Sequence, residues 1–306
     1  MMKATLAQNA PRLAARRQSR LAERGVDGVL LLLVPGLLAV LVLFFLPFAY
    51  GLLLSFQPQA AGSDLLANYR AFFADSYLYD TVFTTLRIAL PVSIFNVVAA
   101  VAVAYRVRSE FRGKRLLTTI LVVPITLGTV LIAEGLLTYL GPRGWLNRAL
   151  ELLGIVHEPI QFVHNYWGVV FALVISGFPF AFLLLLSYLS GIDPNLERAA
   201  ATLGAGPFER FRRVTLPLLA PGVATAFCLA FVLDFSVFPS AIMLGEPSRG
   251  TRVISIAAYH AAFEQFDYSM ASAIAMIMAA IELGVIAVVL FARGRLYRGS
   301  AGGGKG

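Results

Sequence analysis

The chain has 306 residues, of which 58% are hydrophobic and 14% are charged. A soluble domain carries about 25% charged residues, so this chain has too few charges to cover the exterior of a water-soluble fold. Its mean hydropathy of +0.78 agrees with this reading. The composition therefore excludes the soluble classes and indicates an integral membrane protein.

Six apolar stretches are long enough for a membrane helix, which needs about 20 mostly apolar residues. Backbone that crosses hydrocarbon must be helical or form a closed barrel, and runs of this length are helices. The sequence predicts an all-α integral membrane protein with one transmembrane domain at 29–292, between a basic tail at 1–28 and a flexible tail at 293–306. The predicted spans are 29–56, 82–105, 117–140, 166–189, 219–243 and 268–292.

Basic residues indicate the orientation of these spans. The chain has 25 Lys and Arg against 17 Asp and Glu, a net charge of +8. Nineteen of the 25 lie in the two tails and in the loops after the second and fourth spans, whereas five lie in the other loops. Because cytoplasmic loops are enriched in Lys and Arg, both termini are predicted to be cytoplasmic. This placement at the edges of apolar runs favours membrane topology over nucleic-acid binding.

Residue types that carry chemistry are sparse. The single cysteine, Cys228, lies inside an apolar run, and His157, His164 and His260 have no metal-ligand spacing. The chain also lacks a Gly-x-Ser-x-Gly nucleophile elbow. We therefore expect no catalytic residue, no metal site and no cofactor, and the sequence speaks against a membrane enzyme.

The loop at 193–217 carries the most specific pattern. Asp193 and Pro194 are typical of a helix start, and Gly204 permits a sharp turn. Pro207 opens a second short helix before the chain re-enters the membrane. The loop is thus predicted to present two short helices joined by a glycine bend, although an ordinary surface connection would also explain the periodicity.

This stretch resembles the EAA loop of the permease subunits of binding-protein-dependent type I ABC importers, which have the MetI-like permease fold. That pattern is Glu-Ala-Ala, three residues, Gly, nine residues, an aliphatic residue, one residue, and Leu-Pro. Residue 198 departs from the pattern, because it is Arg where the pattern has Glu, and Glu197 stands one place earlier. The matching positions are Ala199, Ala200, Gly204, Val214, Leu216 and Pro217.

The resemblance implies a set of partners in a bacterial cytoplasmic (inner) membrane. These are a second, distinct permease subunit that forms a heterodimer, two ATPase subunits that each receive one EAA loop, a periplasmic substrate-binding protein and membrane lipid, but no nucleic acid. The chain has no phosphate-binding loop of its own, so it is not expected to be an enzyme. The resemblance assigns the coupling role to Glu197, Ala199, Ala200, Gly204 and Pro217.

The segment 245–275 resembles the polyamine, opine and phosphonate-type permeases more than other subfamilies, and sugar-type permeases share much of it. The main prediction for the substrate is therefore a small cation such as spermidine or putrescine. A sugar-type importer is the alternative.

Ionisable residues within the spans are candidate sites, because charge is costly in hydrocarbon. Three acids, Glu134, Asp234 and Glu282, stand against one base, Arg87, and Asp234 and Glu282 lie near the middle of their predicted spans. Acids that face the path favour a cation, which Phe235 and Tyr139 would contact by cation–π interaction. The predicted path residues are Asp234, Glu134, Phe235 and Tyr139. The alternative is that the acids only pair with polar groups and fix packing, which we favour for Glu282.

Two other functions compete with the importer. A secondary transporter would use intramembrane acids for ion coupling, but such folds usually have inverted repeats and more spans, and no internal repeat is visible here. A scaffold subunit would tolerate replacement of 197–217.

Overall fold

The computed structural model describes residues 28–57, 64–109, 112–248 and 250–297. The chain forms two compact units, Met1–Leu54 and Ser55–Gly306. Within the described residues, six helices are long and apolar enough to cross a membrane, as predicted. The tail predicted at 1–28 lies outside the described residues except for Gly28, and so does 298–306 of the C-terminal tail.

The first unit is a single apolar rod. Helix α1 (Gly28–Val40) continues through a π-helical turn (Leu41–Phe45) into α2 (Leu46–Ser55), which confirms the first predicted span. Almost every side chain from 33 to 53 is exposed within the chain. A helix that is apolar all round needs lipid or other protein around it.

The second unit holds the remaining helices. They are α3 (Ala67–Ala74), α4 (Ser76–Val107), α5 (Lys114–Leu140), α6 (Trp145–Leu152), α7 (Tyr166–Ser190), α8 (Pro194–Thr202), α9 (Pro207–Arg210), α10 (Leu216–Phe235), α11 (Pro239–Leu244), α12 (Ile254–Tyr259) and α13 (Tyr268–Tyr297). Two further π-helical turns, Phe211–Thr215 and His260–Glu264, precede α10 and follow α12.

The core of the second unit lies where α4, α7 and α10 pack together. Phe182, Leu185 and Leu219 are fully buried there, beside the alanines Ala100 and Ala226. Small residues let membrane helices approach closely. The core thus ties the second, fourth and fifth spans into one body.

Two other long helices surround this core differently. Helix α13 packs on α10 and α12, where Phe231, Phe235 and Ile274 are buried. Helix α5 packs on α7 and α11, but of its residues only Ile132 and Ala133 are buried. Most of α5 is therefore available to lipid or to another subunit.

Several spans depart from the prediction, and the second begins at Ser76 instead of 82. The third is broken at Gly128, whose φ of 71° and ψ of 164° are not helical; only glycine readily adopts this conformation. The sixth runs on to Tyr297 instead of ending at 292.

The fifth span, predicted at 219–243, was wrong in its last third. Helix α10 ends at Phe235, and a new helix starts at Pro239, because proline lacks the N–H that would continue the hydrogen-bond ladder. The break is stabilised by Ser255, whose hydroxyl donates to the carbonyl of Val237. Asp234 therefore lies at the end of its helix and not near the middle of a span.

Candidate functional site

The loop at 193–217 forms the two short helices that its sequence predicts. The Asp193 side chain accepts a hydrogen bond from the backbone N–H of Asn195 at 2.9 Å, with Pro194 in the first turn of α8. At the other end, Gly204 has a φ of +89°. The backbone N–H groups of Gly204 and Ala205 donate to the carbonyls of Ala201 and Ala200, each at 3.0 Å. This closes α8 in the left-handed manner that glycine favours.

A buried carboxylate joins three parts of the chain. Glu197 on α8 accepts a hydrogen bond from Arg108 Nη2 at 2.7 Å, and Arg108 directly follows α4. The other carboxylate oxygen of Glu197 accepts a hydrogen bond from the hydroxyl of Thr215, at the start of α10. The Glu197 and Arg108 side chains are only 12% and 19% exposed. One acid therefore links the loop at 193–217 to the end of α4 and the start of α10.

The environment of Glu197 keeps it charged. Burial alone raises the pKa of its carboxyl, but the hydrogen bonds from Thr215 and Arg108 and the charges of Arg108 and Arg210 lower it. The net result is a pKa below the usual 4.5. Glu197 is thus ionised at neutral pH and forms a charge-assisted contact.

Aromatic rings reinforce the same junction. The Arg108 guanidinium lies 5.1 Å from the centroid of the Tyr105 ring. The Tyr105 ring in turn packs edge-on against Phe211, with centroids 4.8 Å apart. Helix α4 and the turn that precedes α10 are therefore held together by both apolar and ionic contacts.

The predicted coupling residues occupy different environments. Glu197 is buried, Ala200 is half-buried, and Ala199, Gly204 and Pro217 are exposed. A Cβ added at Gly204 would meet no atom within 4 Å, so its role rests on backbone conformation and not on close packing.

The departure from the motif at residue 198 has a structural explanation. Arg198 is exposed and makes only a long hydrogen bond, 3.4 Å, to Asn195 Oδ1. The carboxylate one position earlier, on Glu197, is the one that faces α4 and α10. Glu197, one position before the Glu of the motif, is therefore the side chain that contacts both Arg108 and Thr215.

Large apolar side chains project from this loop. Leu203 is 88% exposed and Phe208 is 74% exposed. Both belong to the cytoplasmic loop, where water would otherwise surround them. Exposed apolar groups of this kind mark surfaces that associate with other molecules.

The four predicted path residues separate into two pairs. Asp234 and Phe235 are 2% and 0% exposed, whereas Glu134 and Tyr139 are exposed on α5. Asp234 and Phe235 are therefore enclosed by other helices of this chain, whereas Glu134 and Tyr139 lie on its surface.

Asp234 belongs to a buried polar cluster that the sequence did not reveal. Ser93 on α4 donates to Asp234 Oδ2 at 2.8 Å, and Asn96 on α4 donates weakly to the carbonyl of Leu173 at 3.4 Å. A Cβ at Gly177 on α7 would lie 2.6 Å from Asn96 Nδ2 and 3.4 Å from Asp234 Oδ1. A side chain at residue 177 would therefore displace the Asn96 amide from its position in this cluster.

The other intramembrane charges lie near the surface of the chain. Glu282 is half-buried and accepts a hydrogen bond from Ser236 at 3.0 Å, in agreement with a packing role. Arg87 is exposed, with its guanidinium 5.6 Å from the centroid of the Tyr166 ring.

Sequence reasoning missed the partners of both buried acids. Arg108 and Thr215 hold Glu197, but Arg108 counted only as one basic residue of a cytoplasmic flank. Ser93 donates to Asp234, and Asn96 lies near the same point of α7; the place of these two residues three apart within an apolar span was the available indication.

Comparisons with known proteins identify the family of this chain. The family model "Binding-protein-dependent transport system inner membrane component" matches residues 96–297. The probable sulfate transport system permease protein cysT of Prototheca wickerhamii is 30% identical over 206 residues, which cover 67% of this chain and 79% of that protein. The trehalose transport system permease protein SugA of Mycobacterium tuberculosis is 28% identical over 298 residues, or 95% of this chain and 94% of that protein.

A solved structure shares the fold. One chain of a bacterial alginate ABC transporter, crystallised with an alginate pentasaccharide-bound periplasmic protein, has a TM-score of 0.77 and 19% identity. The match covers 92% of this chain and 99% of that one. Since the family model covers about two thirds of the sequence and the six apolar helices fit, the chain belongs to the inner-membrane permease family of binding-protein-dependent ABC importers.

Proposed function

We propose that this permease forms the membrane path of an importer for a small saccharide. The permease family works with ATPase subunits that hydrolyse ATP and with a substrate-binding protein, so the open question is the substrate. The observation that carries the proposal is the similarity to SugA, which extends over 95% of this chain and 94% of that protein. The sulfate relative matches only 67% of this chain.

Charge within the membrane helices supports a neutral substrate over sulfate. Within the predicted spans three acids, Glu134, Asp234 and Glu282, stand against Arg87, and Glu134 is the acid that lies exposed on α5. A path with a negative balance repels an oxyanion. The polyamine prediction finds no support among the relatives named above, so the sugar-type alternative replaces it.

We also propose that the loop at 193–217 receives the motion of the ATPase subunits. Glu197, Ala199, Ala200, Gly204 and Pro217 remain the proposed coupling residues. The ion pair of Glu197 with Arg108 and its hydrogen bond with Thr215 favour this role, because a push on α8 reaches α4 and α10 together. Such a connected junction moves as a rigid body and not as a flexible loop.

The path itself is proposed to involve the exposed face of α5. Glu134 and Tyr139 lie on this helix, and only a small part of it is covered by the rest of the chain. Asp234 and Phe235 are buried, and we propose that they pack beneath the surface that lines the path. The exposed surface of α5 also suits contact with a second permease subunit, which we propose is a similar but distinct chain.

The substrate proposal is tested with the complete importer in proteoliposomes. The assembly contains this chain, the second permease, the ATPase subunits and the binding protein, with ATP on the ATPase side. We expect ATP-dependent uptake of radiolabelled trehalose, and no uptake of radiolabelled sulfate or spermidine. Uptake of sulfate or spermidine but not of trehalose or other disaccharides would show that the substrate class is wrong.

A further inference from the structure

An apolar groove runs along the second unit where α4, α10 and α13 meet in their cytoplasmic halves. It consists of two adjoining cavities of about 670 Å³ and about 470 Å³. The two cavities share lining residues on α4 and α10, namely Val97, Val98, Leu216 and Val223. The groove is therefore continuous from the coupling loop to α13.

The length of the groove fits one leaflet of a bilayer. Its described lining extends along α4 from Arg106 to Ile94, twelve residues apart, which is about 18 Å at 1.5 Å per residue. Half of a bilayer hydrocarbon core is about 15 Å. The groove thus spans the depth that a lipid acyl chain occupies in the cytoplasmic leaflet.

Two basic side chains line the groove. Arg106 lines the larger cavity next to Phe208, and Arg293 lines the smaller one at the cytoplasmic end of α13. Among the described residues that line the two cavities, there is no acidic side chain. Basic pockets between membrane helices on the cytoplasmic side attract anionic lipid headgroups.

We propose that this groove binds an anionic phospholipid from the cytoplasmic leaflet. Arg106 and Arg293 hold the phosphate, while the acyl chains lie along Val98, Phe227 and Val289. Two basic side chains suit an anionic headgroup and the mostly apolar lining suits acyl chains, so the groove as a whole matches the chemistry of a phospholipid.

The bound lipid would touch the coupling loop directly. Pro207, Phe208 and Phe211 of that loop form one wall of the larger cavity. Lipid occupancy therefore supports the loop from the membrane side and accounts for part of the exposed apolar surface of Phe208. Binding itself does not depend on the proposed substrate or on the proposed coupling role.

Native mass spectrometry of the purified complex tests the binding. The complex is exchanged into phosphatidylglycerol or phosphatidylcholine, and retained lipid is counted for wild type and for the double variant Arg106→Gln/Arg293→Gln. We expect wild type to retain phosphatidylglycerol over phosphatidylcholine, and the double variant to retain roughly 30-fold less phosphatidylglycerol, because each basic group accounts for about a fivefold loss. The matched control Arg112→Gln/Arg115→Gln removes two exposed charges from the same membrane face and should retain as much lipid as wild type.

A photocrosslinker identifies the occupant independently of charge. Benzoylphenylalanine at Val98, in the shared part of the groove, should form an adduct with phospholipid in the intact complex. Adducts with the partner permease instead of lipid would show that the groove is a protein interface and overturn the proposal. Equal retention of both lipids, or equal loss in the two double variants, would overturn it as well.

Discussion

At the scale of single residues, the carboxylate of the loop at 193–217 that contacts other helices belongs to Glu197, one position before the Glu of the motif. Glu197 is held by Arg108 and Thr215, whereas Arg198 faces solvent. A helix turn places neighbouring side chains about 100° apart, so adjacent residues cannot share one environment. The buried direction belongs to residue 197 in this chain.

The Glu197 contact predicts the effect of its removal. Glu197→Gln leaves the Arg108 guanidinium without its counter-charge, and breaking a buried pair by removing one partner costs about 3 kcal/mol. We expect a lower free energy of unfolding and reduced ATP-dependent uptake, measured by thermal unfolding of the purified complex and by transport in proteoliposomes. The exposed neighbour provides the control, since Arg198→Gln should change stability by less than about 0.5 kcal/mol.

The dependence of stability on pH provides a second test of the Glu197 contact. Because the pKa of Glu197 is lowered in the folded protein, its stabilisation is complete above the usual pKa of 4.5 and is lost as the pH falls through the lowered value. The stability gap between wild type and Glu197→Gln should therefore shrink below that pH. A gap that stays constant would mean that the carboxylate charge is not what stabilises the junction.

Gly204 and Gly206 differ in backbone conformation, so substitution of the two glycines should have different effects. Its φ is +89° with open space around a Cβ, whereas Gly206 has a φ of −66° and equally open space. Gly204→Leu should cost about 1–2 kcal/mol of local strain and uncouple ATP hydrolysis from uptake, while Gly206→Leu should be tolerated. The ratio of solute imported to ATP hydrolysed is the measurement, and equal ratios in the two variants would contradict the proposed role of the bend.

At the scale of elements, the core of the second unit depends on a polar cluster inside a membrane-spanning bundle. Ser93 and Asn96 on α4 and Asp234 on α10 are all buried, and α7 passes them at Gly177. The Ser93 hydroxyl donates to Asp234 Oδ2 at 2.8 Å, whereas Asn96 Oδ1 has no hydrogen-bond partner among the described residues. Asp234 therefore joins α4 to α10 through Ser93, as buried polar contacts between membrane helices do.

Gly177→Ala tests the packing of this cluster. The new methyl group would meet Asn96 Nδ2 at 2.6 Å, and overpacking of this kind costs about 1–3 kcal/mol. We expect a lower unfolding temperature for Gly177→Ala. Gly135→Ala on α5 is the matched control, since nothing lies within 4 Å of its Cβ, and similar unfolding temperatures for the two variants would show that the close approach at Gly177 is not limiting.

At the scale of the whole molecule, the chain exposes large apolar surfaces that other molecules would cover. The first unit and α5 expose apolar side chains at membrane depth, which lipid or a second permease covers. Leu203 is different, because it lies on the cytoplasmic loop and lines neither cavity of the groove. The surface that faces the ATPase subunits is therefore expected to include it.

Leu203→Ser should weaken attachment of the ATPase subunits without unfolding the permease. Leu203 is 88% exposed and so contributes little to the fold of the chain, but loss of a central apolar contact in an interface costs about 2 kcal/mol. The amount of ATPase that co-purifies with the tagged permease measures the effect. Arg212→Ser, exposed on the same loop, should keep its ATPase, and undiminished co-purification of Leu203→Ser would argue against docking at this surface.

The sequence by itself determined the class of protein, the number of spans, the two helices of the coupling loop and the family. These follow from composition, from runs of about 20 apolar residues and from capping residues such as Asp193 and Gly204, all of which act over a few neighbouring positions. Only the tertiary structure decided where α10 ends, which carboxylate of the loop is buried, and that Asp234 is enclosed while Glu134 is exposed. Those outcomes depend on contacts between residues far apart in the chain, such as Arg108 with Glu197 and Ser93 with Asp234. Hydrophobic periodicity places a side chain on a helix face, but the charge or hydroxyl that meets it comes from another helix.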